Sequence, residues 1–115
     1  MVIVVIRTQL RADADVAAYE AAGARMDELV RAMPGFVSAK DFTAEDGDRV
    51  SLVTFTSLEA LAAWRNQPEH LAVQRRGREA FYATYSVQVC EVVRAYDFSS
   101  VEGRRSQLEA AGGDA

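Results

Sequence analysis

Apolar positions recur along this chain in two periods, and the switches between them mark the elements. Val2 to Ile6 is an unbroken β-branched run, which predicts a buried strand reaching about Leu10. Asp13 or Asp15 then offers a helix cap. Val16, Tyr19, Gly23, Met26, Val30 and Met33 follow at spacings of three and four, the signature of one helical stripe. Gly23 on that stripe is expected to allow close approach to a sheet. Pro34-Gly35 stops the helix.

Phe36 to Ala44 reads as the second strand and Arg49 to Thr56 as the third, joined by the hairpin signal Asp46-Gly47. Ser57 caps a short helix carrying Leu58, Leu61 and Trp64. Pro68 suits the first turn of a new helix, with Glu69 favourable at its positive end. That helix is predicted to run to Tyr82 or Thr84, with a stripe of His70, Val73, Gly77 and Phe81. Ser86 to Asp97 is predicted as the fourth strand. The order β-α-β-β-α-β, with its second helix broken at Pro68, is the split βαβ pattern of a ferredoxin-like α+β fold. This predicts a four-stranded antiparallel sheet with helices on one face. Residues 1–98 form the predicted domain. The polar, small-residue tail 99–115 is expected to be loosely docked.

Both faces of the first strand are apolar: Val2, Val4 and Ile6 on one, Ile3 and Val5 on the other. The predicted last strand repeats this, with Val87, Val89 and Val93 opposed to Cys90, Val92 and Tyr96. Two helices cover only one face of a sheet. The simplest cover for the other is the same face of a second copy, so a homodimer joined through sheet faces is expected.

Composition narrows the function. The 115 residues carry a net charge of −4, which argues against general nucleic-acid binding. Lys40 is the sole lysine, and the local clusters Arg75, Arg76, Arg78 and Arg104, Arg105 read as solvated faces. One cysteine, Cys90, makes no intrachain disulfide and is expected to be a buried thiol in an apolar strand. The start MVIVVIRTQL lacks the basic segment and long apolar core of a signal peptide, and no stretch approaches a membrane span. A cytoplasmic protein without membrane or nucleic-acid partners is the expectation.

The chemistry concentrates between Trp64 and Phe98. That stretch holds the single Trp, the single His and the single Cys. Three motifs in and before it, MPGFVSAKDF, SLEALAAWRNQPEH and QRRGREAFYATYSVQVCEVVRAYDF, resemble the antibiotic biosynthesis monooxygenase domain family of the dimeric α/β-barrel superfamily. The resemblance covers about residues 1–98. It implies a dimeric α/β barrel and leaves the activity open. Some members are cofactor-free oxygenases of quinol- or anthrone-like aromatics, others degrade haem, and many have no assigned role. The haem-degrading branch resembles a pattern of an asparagine on the first strand, then a tryptophan, then a histidine nine or ten residues on. Here no asparagine stands near Arg7 to Gln9, and His70 follows Trp64 by only six, with Val73 and Gln74 at the expected positions. The departure disfavours haem, so no cofactor is expected.

Each candidate residue has more than one reading. His70 is the best general base near neutral pH, or a histidine that closes the cavity end through a bond to a neighbour. Trp64 is core, pocket wall or dimer contact. Tyr82 and Tyr85 can bond a substrate oxygen or a backbone carbonyl. Phe81 is core or substrate contact, and Val73 shares its stripe. Arg78 can stabilise an oxyanion or pair with an acidic neighbour such as Glu79. Zinc clusters, phosphate loops and nucleophile elbows are missing from the sequence. A small aromatic ligand in a wedge between the Trp64 and His70 segments fits these residues. Three functions follow: a small cofactor-independent monooxygenase, with His70, Trp64, Tyr82 and Arg78 as its chemistry and Phe81, Tyr85 and Val73 as its contacts; a non-catalytic ligand-binding or stress-related domain; and, disfavoured by the spacing, a haem-binding or haem-degrading oxygenase with His70 as the iron ligand.

Overall fold

β-Branched side chains crowd a helix but pack well on a pleated surface, and β1 (Val2–Leu10) is built from them. It is a central strand, paired antiparallel to β3 (Arg49–Phe55) and to β4 (Tyr82–Glu91). The structure, a computed structural model, describes residues 1–100. The predicted tail therefore falls, beyond residue 100, outside the described residues. With β2 (Phe36–Thr43) the sheet order is β2-β3-β1-β4. Helices α1 (Val16–Arg31), α2 (Leu58–Arg65) and α3 (Pro68–Arg76) lie on one face, which is the ferredoxin-like α+β arrangement.

The expected caps form. Asp15 accepts from the Ala18 N–H at 3.0 Å, and Ser57 accepts from the Ala60 N–H at 3.1 Å. Pro68 takes the first turn of α3. Gly35 turns the chain after α1 with φ 82°, and a Cβ there would sit 2.5 Å from Ala60 Cβ. Only glycine satisfies both the angle and the space. The core lies between α1, α2 and the sheet, around Val2, Val4, Val30, Leu61, Trp64 and the fully buried Phe55.

Four expectations are corrected. The second long helix ends at Arg76, and a π-helical turn (Gly77–Phe81) follows. β4 consequently starts at Tyr82 rather than Ser86 and stops at Glu91 rather than Asp97. Val92, Val93 and Tyr96 lie beyond the strand, and Val93 is 97% exposed. The register sets Val89 opposite Val4 and Val87 opposite Ile6, on the helix side, while Cys90 faces away opposite Ile3. Cys90 is exposed in the single chain rather than buried, because no helix covers that face. Gly23 does not bring α1 close to the sheet: a Cβ there would meet nothing within 4 Å. The gap belongs to a cavity.

Candidate active site

The site begins with the break between α2 and α3. Pro68 has no N–H to continue α2, so Asn66 and Gln67 turn the chain and α3 starts afresh. Gln67 caps α3 by accepting from the His70 N–H at 2.7 Å. This folds His70 back over the end of α2. Its ring stacks on the Trp64 indole with centroids 4.0 Å apart and planes 13° from parallel. His70 Nδ1 lies 2.9 Å from the Trp64 carbonyl oxygen. A carbonyl only accepts, so Nδ1 carries the proton and Nε2 keeps its lone pair. Burial lowers the His70 pKa from 6.5, and the bond to Trp64 opposes this less strongly. The ring is therefore a neutral base near pH 7 with a fixed tautomer.

Trp64 and His70 line a cavity of about 220 Å³ beneath α1 and α3. Its walls are mainly apolar, including Val4, Ile6, Val53, Val73 and Val87. Tyr82 and Tyr85 line it as well, although they stand three apart on a strand, where alternation would oppose them. The β1–β4 register shifts between Gln9 and Leu10, so Thr8 faces Tyr85 while Leu10 faces Tyr82. One residue is passed over, and both phenols turn inward. Gly77 has ordinary helical angles; its use is space. A Cβ there would fall 2.5 Å from the Tyr82 ring.

Tyr82 sits in a cluster of phenols. Its ring lies 6.0 Å from that of Tyr19 and 5.4 Å from that of Tyr85. Burial, reinforced by Tyr19 and Tyr85, pushes the Tyr82 pKa up to about 12. Burial also raises Tyr85, against a small opposing effect of the Arg78 charge. Both remain neutral donors at physiological pH.

The other candidates separate. Val73 lines the cavity, and Phe81 packs edge-on to Tyr19 at 5.6 Å and lines an adjoining space rather than the cavity itself. Arg78 is exposed and lines no part of the cavity, and it makes no ion pair with Glu79 among the described residues. The cation in the lining is Arg65, and Arg49 lies 5.1 Å over the Tyr19 ring. Tyr19, Arg65, Gln74 and Ser51 were not singled out from the sequence. For Tyr19 a signal existed: a phenol on the inward stripe of α1 must find a polar partner. No group of three or more His, Cys, Asp or Glu side chains suited to a metal occurs among the described residues.

The profile of the antibiotic biosynthesis monooxygenase family matches residues 1–76, through the first and second motifs and into α3. The chain belongs to this family. YqjZ of Bacillus subtilis is 33% identical over 70 residues, and the match spans 61% of this chain and 61% of that protein. Among solved structures, Rv0793 from Mycobacterium tuberculosis is 26% identical with a TM-score of 0.74, covering 84% of this chain and 98% of that one. SnoaB from Streptomyces nogalater, described as a cofactor-independent oxygenase, is 21% identical with a TM-score of 0.68, covering 82% of this chain and 94% of that one. At that identity SnoaB shows the shared fold alone. No helix among the described residues is long and apolar enough to cross a membrane.

Proposed function

We propose that this protein is a cofactor-independent monooxygenase that oxidises a quinol- or anthrone-like aromatic with molecular oxygen. The observation that carries this reading is the His70 imidazole, with Nδ1 tied to the Trp64 carbonyl and Nε2 left basic in an apolar cavity. Triplet oxygen reacts slowly with closed-shell molecules but accepts an electron from a phenolate or carbanion. His70 Nε2 takes the acidic proton of the substrate and creates that anion. The neutral phenols of Tyr82 and Tyr85 donate to a substrate oxygen and hold the negative charge. Trp64 supplies a flat wall on which the ring lies.

The anion gives one electron to oxygen, and the two radicals combine through a new C–O bond. The O–O bond then breaks, leaving one oxygen as a carbonyl on the ring. The other departs as water with the two displaced hydrogens. The substrate supplies all the electrons, so the reaction needs no further reductant.

The assembly we propose is a homodimer through the outer sheet face, forming a dimeric α/β barrel. Register sets Ile3 and Val5 of β1 opposite Thr54 and Leu52 of β3 on that face, with Val50 further along opposite Arg7, and Ile3, Val5, Val50 and Leu52 are only half-covered in the single chain. Oxygen uptake with naphthoquinols and anthrones tests the activity. Saturable ligand binding with no uptake would instead favour a binding domain.

A further inference from the structure

The cavity does not end beneath His70. A second lobe of about 180 Å³ continues between α1 and the β2–β3 half of the sheet. Tyr19, Met26, Ser51, Trp64, His70 and Val73 are among the side chains that line both lobes, so the two spaces adjoin across them. The first lobe reaches Val87 and Val89 on β4, and the second reaches Ala39 and Asp41 on β2. β4 and β2 are the two edges of the sheet. The joined space thus crosses its whole width, roughly 14 Å at about 4.8 Å per strand spacing.

The two ends differ in chemistry. The β4 end combines the aliphatic Val87 and Val89 with the neutral phenols of Tyr82 and Tyr85 and carries no carboxylate. The β2 end is floored by Asp41 and Ser51, which are register partners on the helix-facing side of the sheet. Asp41 is exposed on the edge strand, so the lobe opens to solvent at this end, and Ser51 beside it is half-buried. Ser51 Oγ donates to Asp41 Oδ1 at 2.6 Å, and Asp41 has no ion pair among the described residues. The other carboxylate in the lobe, Asp27, is already paired with Arg31 at 2.8 Å. Above the floor, Gly23 interrupts the α1 stripe and leaves open space where a side chain would otherwise project.

We infer that this second lobe is a specificity subsite that receives a hydrogen-bond-donating substituent, a hydroxyl or ammonium, of the aromatic ligand, with Asp41 as the accepting carboxylate and Gly23 as the vacancy that admits it. This rests on the cavity being the substrate site proposed above, and it adds an orientation: ring under His70, donor group toward β2, apolar edge toward β4. A carboxylate at the same place on the ligand would face Asp41 and be rejected.

The test uses redox-inert probes, so it stands apart from turnover. Quenching of Trp64, the single tryptophan, reports binding of 2-(aminomethyl)naphthalene, 2-naphthalenemethanol and 2-naphthylacetate. The amine should bind at least about tenfold tighter than the acetate, the worth of one charge-assisted hydrogen bond. In Asp41→Asn this ratio should fall to within about twofold, whereas Asp13→Asn, an equal charge change away from the cavity, should keep it. Gly23→Leu, which fills the lobe, should weaken the amine and the alcohol together. Equal binding of amine and acetate, an unchanged ratio in Asp41→Asn, or no saturable quenching would each overturn the subsite. Amine selectivity that depends on Asp41, with no oxygen uptake from any quinol, would uphold the subsite and sink the oxygenase reading instead.

Discussion

His70 donates from Nδ1 to the Trp64 carbonyl at 2.9 Å while its ring lies flat on the Trp64 indole at 4.0 Å. One residue thus fixes the tautomer of the imidazole and shields one of its faces. The Pro68 break within their six-residue separation brings the two side chains together, because the chain turns between them.

That burial has a pH consequence. The His70 pKa in the folded protein lies below 6.5, so under that pH the unfolded chain takes up a proton that the folded chain resists. The stability contributed by the neutral ring is complete above 6.5 and is lost as pH falls from there through the folded value. Melting temperature should decline between pH 7.5 and 5.5, and the decline should flatten in His70→Gln. Asp48 and Glu69, held low by Arg7 and Arg25, titrate further down and do not blur this window. An identical slope in both proteins would contradict the assignment.

Gly77 is required by the Tyr82 ring rather than by its own angles. Gly77→Ala should displace the phenol and weaken aromatic-ligand binding about as much as Tyr82→Phe does, on the order of 5- to 10-fold for one lost hydrogen bond. The double variant should be no worse than either single one. Isothermal titration would show this, and a Gly77→Ala protein that binds like the parent would refute it.

Val73 lines the region common to both lobes. Val73→Phe should fill that space and abolish ligand binding with the fold intact, read as an unchanged circular dichroism spectrum beside absent Trp64 quenching. Retained quenching would place the ligand elsewhere.

The outer sheet face sets the assembly. Light scattering should give twice the 12.6 kDa chain mass for the parent. Leu52→Glu, which buries a charge against its partner's equivalent surface, should give the single-chain mass. A monomeric parent would refute the interface.

Much of this architecture was legible in residue patterns. The β-branched run of β1, the Asp15 and Ser57 caps and Pro68 each fix a local structure on physical grounds that act within a few residues. The grouping of Trp64, His70 and Val73 also followed from helical spacing and one break. What escaped was non-local. The π-helical turn moved the start of β4 to Tyr82, and the register shift beside Leu10 turned Tyr82 and Tyr85 to one side. Neither depends on the identity of a single residue. Arg78 had two readings in the sequence, and the turn that carries it leaves it exposed. Asp41 and Ser51 look like ordinary strand polar residues until the register shows which face they occupy.

Oxygen uptake by the parent and His70→Ala, with a panel of naphthoquinols and anthrones at pH 7.5, tests the central claim most directly. A positioned base contributes about 10²–10⁴-fold, so uptake should fall by that factor in the variant while its dimer mass is unchanged. Uptake in His70→Ala equal to the parent's, or none by the parent with any compound of the panel, would contradict an oxygenase built on this imidazole.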